Sequence, residues 1–584
     1  MAMMRKRKPP KTKISIPARI LLQTLSQIRY HFDPANALTR RHLLVQLRTL
    51  PIRNSAILRE YHDLLSFHRA YPDDVSVLNL VEQQLQSFER RVNRLLRANE
   101  NAVDELEDSG IAGTVVSHPY SYDLARSLTQ WYPGKLEIDW NYYDEDKSGA
   151  IAGMLPLLVS WQENDTLDND FTLDARDWLK ITGHGKRLTE LELLLKLLAT
   201  SGLPRPVQRH LFESPEMAIR WPLAHSSASR TLRRVPVKRL FFQQTSPLGR
   251  CADLRVELAR PIAPLKLLTR REGDYYVRAI NEVLAVRVRE LFSITGANPS
   301  EVYRYEPGRG VQIFLFGTNP DIRLPLEANF GAMLVRNGLP IGYGVGAVLF
   351  DRVEIAINIF PAFRAGESAF VIQEFFRVFH HHFGSNVLLV RSRQMGDGDD
   401  EPIKSGAFWF YYKLGFRAVR KQIRALADKE NERLKANPGS RSSERTLRRL
   451  AKSDVFFHID HARMGGYREL SLVNLGKVVT RIARDKYDND RMLADTECAT
   501  EVIRSLEIKG FDRWSRDEMV SLIRLAPLLS AIPDLRRWSR VEKQGLVKII
   551  RARGGSQERQ FVLLCNQHPR LYGSLRKLAD NYRA

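Results

Sequence analysis

Three groups of residues have types and spacings suited to chemistry. The first lies around Asp139, Asp144, Glu145 and Asp146, where carboxylates crowd against Trp140, Tyr142 and Tyr143 and have the makings of a metal or cation loop. Asp144, Asp146 and Ser148 take the alternate spacing of a calcium loop, but Leu155 stands at the twelfth place, where such a loop needs a bidentate glutamate. The second is His380, His381 and His382. Consecutive helical residues point about 100° apart, so three in a row cannot converge on one ion, and no metal site is assigned. The third runs from Glu354 to Ser368. A strand that enters a helix through a short loop leaves free N–H groups and a partial positive charge at the helix start, which suits an anion such as phosphate. Arg364 offers the planar fork that pairs with phosphate, against the alternative of a surface arginine. Ser368 either caps the helix or reaches the anion. Glu354 can accept a proton from an amine, directly or through water, or can sit in a surface salt bridge. The acidic run Gly396 to Glu401 can draw in a cationic amine or be a solvated loop.

These residues need a scaffold, and the patterning between 311 and 425 supplies one. Val311 to Phe316 reads as a strand. Ala332 to Arg336, then Asn337-Gly338, then Ile341 to Phe350 reads as a hairpin, because Asn-Gly favours the positive φ that a tight antiparallel turn requires. In the next strand, Val353 to Phe360, Val353, Ile355, Ile357 and Ile359 share one face, and Glu354, Ala356 and Asn358 share the other. A loop at Pro361 to Gly366, a helix over Ser368 to Phe383, a strand at Val387 to Val390 and a helix around Ser405 to Lys413 follow. Gly415 is the expected stop just past that helix. Gly342, Gly344 and Gly346 have the spacing of a nucleotide loop. They lie inside a strand with no helix at once behind, so they mark a bulge or a close backbone approach instead.

Two runs in this span resemble a known family. Asn358-Ile359-Phe360-Pro361-Ala362-Phe363-Arg364 resembles the strand and loop of the GNAT-like acyl-CoA N-acyltransferases, and Ala407 to Phe416, with its Tyr-x-Lys-Leu-Gly-Phe ending, resembles that family's helix end. The second run is the more specific. The resemblance covers about a fifth of the chain. It implies a GNAT-like mixed sheet, an α/β (α+β) domain, and transfer of an acyl group from acetyl-CoA or another acyl-CoA to an amine on a small molecule or a protein. It also implies that Phe360, Arg364, Ala365, Gly366, Ser368 and Ala369 hold the cofactor, with Tyr411 protonating the departing thiolate and Glu354 or water taking the amine proton. Glu367 stands where the family has a glycine, and a carboxylate beside a pyrophosphate repels it unless it turns away or pairs with a base.

The chain of 584 residues is long enough for three or four domains at about 100–200 residues each, or for one domain with large helical additions. The expected order is a basic arm at 1–15, a helical region at 16–105, a mixed, mostly helical region at 106–300, the GNAT-like domain at 301–425 and a basic helical region at 426–584. A helix is expected from Tyr276 to Leu291 on the stripe Ile280, Val283, Leu284, Val288 and Leu291. The net charge is +23, from 90 Lys and Arg against 67 Asp and Glu, which favours polyanions as partners. The alternative to acyl transfer is therefore an inactive GNAT-like scaffold whose basic helices bind nucleic acid or another polyanion. Three distant cysteines suggest no disulfide framework or CxxC metal site and fit a reducing cytoplasm. The most apolar stretch, Ile151 to Trp161, is too short to cross a bilayer about 30 Å thick, and the basic N-terminus does not read as a signal peptide.

Overall fold

The computed structural model describes residues 16–142, 145–169, 174–364, 366–460 and 467–582. Expectations placed on the arm at 1–15, on Tyr143, on Asp144 and on Ala365 fall outside these residues, as do the side chains of Glu145, Asp146 and Ser148. The described chain is a mixed α/β structure built around one sheet of nine strands, beside a small sheet of three. No helix among the described residues is long and apolar enough to cross a membrane.

The strands of the large sheet are β1 (Lys266–Leu267), β2 (Ala297–Gly308), β3 (Val311–Thr318), β4 (Ala328–Arg336), β5 (Leu339–Leu349), β6 (Arg352–Ile359), β7 (Val387–Val390), β8 (Arg417–Ala418) and β9 (Val455–His458). Their order across the sheet is β8-β9-β7-β6-β5-β4-β3-β2-β1. From β1 to β6 every neighbouring pair is antiparallel, β6 and β7 are parallel, and β9 runs antiparallel to both β7 and β8. The sheet reaches past both ends of the 301–425 span. β2 begins earlier, and β9 comes from the region read as helical. Neither strand stands out in the sequence. Pro299 and Pro307 interrupt β2, which pairs irregularly at both ends, and β9 is four residues long.

The helices that matter for the site are α1 (Arg270–Ala285), α2 (Ser368–Phe383), α3 (Asp400–Ser405), α4 (Ala407–Lys413), α5 (Lys421–Ala436) and α6 (Glu444–Leu450). α1 stops six residues short of Leu291, with Val288 in the left-handed region at φ 50°. The β4–β5 turn has Asn337 at φ 49° and Gly338 at φ 77°, the mirror-image turn that strand twist demands. α2 lies on the face of the sheet carrying Gly344 and Gly346. A Cβ at Gly346 would stand 2.2 Å from the Phe379 ring, and one at Gly344 would stand 2.8 Å from Phe375. These glycines let the helix approach the strands.

Among the described residues, three apolar cores organise the fold. One fills the helices between Ala18 and Ile111, a second lies under the small sheet, and the third joins the large sheet to the C-terminal helices. The last junction is ionic as well as apolar. Glu301, Arg323, Arg553 and Glu558 form a cluster with almost no exposure, and Glu301 accepts from the backbone N–H of Glu558 at 2.7 Å and of Arg559 at 2.9 Å. Burial first, and then the Glu558 carboxylate, raise the Glu301 carboxyl to about 7 against those N–H donors and Arg323.

Candidate functional site

β6 and β7 pair only where Arg352, Val353 and Glu354 face Val387, Leu388 and Leu389. Beyond that point β6 continues to Ile359, while the chain after β7 turns away through a short helix at Ser392–Met395. Past Glu354, no strand among the described residues covers the outer edge of β6. Buried backbone groups need partners, so this edge is a place for an incoming group to hydrogen-bond. Against the end of β6 lies a cavity of about 560 Å³. Its walls are Ala356 to Ile359 of β6, Tyr343 and Val345 of β5, Ser368 and Ile372 of α2, and Phe410 and Tyr411 of α4. Arg289, Leu291, Arg364, Arg393, Asp399 and Glu401 surround it.

Tyr411 is 5% exposed and packs edge-on against Phe416, 5.4 Å between ring centres. Among the described residues no hydrogen bond engages its hydroxyl, and burial alone raises its pKa, so the phenol keeps its proton at neutral pH. Arg364 spans the mouth. Its Nε donates to the Ile359 carbonyl at 2.9 Å, Nη2 donates to Asn358 Oδ1 at 3.3 Å, and Nη1 pairs with Glu401 at 2.6 Å. Ser368 lines the cavity as the first residue of α2 and does not cap it. Glu367 holds the cap position and makes no side-chain cap bond. Among the described residues no side chain caps the N–H groups of that first turn, and they carry the positive end of a sixteen-residue helix.

Glu367 turns its carboxylate away from the cavity. It is buried and accepts from Arg309 Nε at 2.9 Å, from Arg336 and from the Leu248 N–H at 3.1 Å. Burial pushes its pKa up, but the hydrogen bonds of Arg309 and the charge of Arg336 outweigh it and hold the group below the usual carboxylate range. The N-terminal helices brace the same loop from behind. Arg29 donates to the Ala362 carbonyl, and Tyr30 donates to the Arg364 carbonyl at 3.1 Å. A Cβ on Gly366 would come 2.9 Å from the Tyr71 ring, so the small residue there answers to Tyr71.

The remaining sequence candidates go elsewhere. Glu354 sits where β6 and β7 are still joined and pairs with Arg391 at 2.7 Å and Arg352 at 3.3 Å. It does not line the cavity, so the salt-bridge reading describes it and the proton-acceptor reading loses its geometry. Phe360 is buried under Arg287, 4.1 Å from guanidinium to ring centre, and Ala369 is the second helical residue without a place on the wall. The three histidines diverge: His380 Nδ1 meets the Ser385 carbonyl, His381 Nε2 meets the Leu258 carbonyl, each at 2.8 Å, and His382 packs on Tyr303.

The structure brings together Arg364, Ser368, Tyr411 and, from the 396–401 run, Asp399 and Glu401, and adds Arg289, Tyr343 and Arg393. Arg289 follows a helix that had to end at Ala285, and nothing local in its sequence marks it. Compared with protein families, curated proteins and solved structures, the chain matches none.

Proposed function

We propose that the protein is an acyl-CoA-dependent N-acyltransferase of GNAT-like fold, with acetyl-CoA or another acyl-CoA as donor and an amine on a small molecule or protein as acceptor. The observation that carries the reading is the end of the β6–β7 pairing at Glu354 and Leu389, with a cavity against the rest of β6 that has Ser368 of the α2 start and Tyr411 in its walls. The residues present fit the group. The β6 edge before Ile359, which no strand among the described residues covers, suits the amides of an extended pantetheine arm, which would add to it as a strand does. The first turn of α2 offers N–H donors for the pyrophosphate, with Arg364 beside it and Glu367 turned away.

The bound thioester would supply an acyl carbon that an amine attacks directly. As the C–N bond formed and the C–S bond broke, the Tyr411 hydroxyl would give its proton to the departing sulfur and later regain one from solvent. The amine proton leaves through water toward Asp399 and Glu401 at the mouth. Fixing both reactants in line supplies much of the acceleration.

Isothermal titration of the full chain with acetyl-CoA and with coenzyme A tests the reading. Binding with saturable heat is expected, and the absence of heat at about millimolar cofactor, some 4 kcal/mol of binding free energy, overturns it.

A further inference from the structure

α5 and α6 pack against each other beside the β8 edge of the sheet, and α6 also packs on α3. Between Arg420 and Lys452 the chain carries eleven Arg and Lys against four Asp and Glu. All four acids are engaged. Asp428 accepts from the Tyr412 hydroxyl at 2.8 Å, Glu430 pairs with Arg433 at 2.7 Å, Glu432 with Lys435 at 2.9 Å and Glu444 with Arg448 at 2.6 Å. Arg420, Lys421, Lys429, Arg445, Arg449 and Lys452 are exposed, and among the described residues no ion pair engages them. Arg445, Arg448, Arg449 and Lys452 share one concave surface. Like charges so close destabilise the helices that carry them, and a bound polyanion relieves that repulsion.

The same stretch tells which polyanion fits. No large apolar side chain is exposed between Arg420 and Lys452. A membrane-surface helix needs such side chains to insert, whereas a phosphodiester backbone needs only cations, arginine above all for its two-pronged contact. We propose that α5 and α6 form a nucleic-acid-binding surface that grips the phosphodiester backbone. The surface adjoins the cavity. Arg448 pairs with Asp400 of α3 at 2.7 Å, and the neighbours of Asp400 on either side, Asp399 and Glu401, line the cavity. A strand held on the ridge passes beside that mouth. The inference goes beyond the acyl-transfer reading and does not depend on it.

The test is fluorescence anisotropy of the full chain with labelled RNA and DNA oligonucleotides of about 20 nucleotides, between about 50 and 200 mM salt. Affinity that falls steeply with salt is expected, with the RNA and DNA arms identifying the preferred source. The triple variant Arg445→Gln, Arg449→Gln, Lys452→Gln should lower the log–log salt slope by about two to three, at 0.7–0.9 per lost phosphate contact, and leave coenzyme A binding as in the parent. Lys421→Gln with Lys429→Gln, on the other helix, should lower it by about one to two and serves if the triple variant melts early. The control Lys486→Gln, Arg491→Gln, Arg516→Gln should leave the slope unchanged. The proposal is overturned if the parent binds neither oligonucleotide at low salt, if the control lowers the slope as much as the ridge variants do, or if the parent binds phosphatidylserine vesicles and no oligonucleotide.

Discussion

Tyr411 and Glu367 show how one side chain's surroundings decide its chemistry. Tyr411 is buried, with its hydroxyl free of partners among the described residues and its proton held firmly. In the acyl-transfer reading, Tyr411→Phe removes the acid and nothing from the phosphate-binding end. Turnover should drop about 10²-fold or more while coenzyme A affinity stays within a factor of about two. Steady-state rates and titration calorimetry read the two separately, and an unchanged rate takes Tyr411 out of the mechanism. Glu367 balances the buried guanidinium of Arg336 and the partly buried one of Arg309. Glu367→Ala leaves Arg336 charged and without its carboxylate, and should cost about 3–5 kcal/mol of stability in urea unfolding. A cost below about 1 kcal/mol is the behaviour of an exposed pair and would contradict the burial described above. The substitution tests the fold, not phosphate repulsion, because the carboxylate does not face the cavity.

At the scale of elements, the cavity depends on how close α2 comes to β5 and β6. Gly346→Ala places a methyl against the Phe379 ring, and the helix must shift or the ring must rotate. Overpacking of this kind costs about 1–3 kcal/mol. In the acyl-transfer reading, where the first turn of α2 offers N–H groups to the cofactor, the same variant should weaken coenzyme A binding several-fold. Melting temperature and calorimetry check the pair of effects. Loss of stability with full affinity would mean that the helix start does not contact the cofactor. The ridge of α5 and α6 belongs to this scale too, since its charge acts through two helices together and not through any one residue.

At the scale of the molecule, buried titratable groups make opposite demands on pH. His68 is buried among the N-terminal helices, and burial first, then Arg40 and Arg29, hold its pKa well below 6.5. Burial lowers His62 in the same direction, against Asp63. A base whose folded pKa is depressed contributes stability above its unfolded value and loses it as pH falls below that value, here from about 6.5 downward. Glu301 has the reverse sign. Its carboxyl is raised to about 7, so docking of the C-terminal helices is strongest below about 4.5 and weakens as pH rises through 7. Hydrogen exchange by mass spectrometry, corrected for intrinsic rates, should show Ser55–Ala70 losing protection from pH 7.5 to pH 5.5, and Glu558–Gln567 gaining it. Parallel changes in both segments would refute the assignment.

Local chemistry made part of this protein readable from its residues alone. Asn337-Gly338 dictated the tight turn, alternation marked β6, and the helix over Ser368 to Phe383 emerged with the bounds expected, because turn preference and periodicity act within a few residues. The clustering of Arg364, Ser368 and Tyr411 was partly visible through their motifs. Long-range contact decided the remainder. β2 and β9 exist because neighbouring strands supply hydrogen bonds that their own short or proline-broken sequences do not advertise. Glu354 lost its candidacy to Arg391, 37 residues away, and Glu367 turned from the cavity toward Arg309 and Arg336, 58 and 31 residues away. Charges pair through space, at a strength set by burial, and a single sequence carries neither distance nor burial for partners so far along the chain.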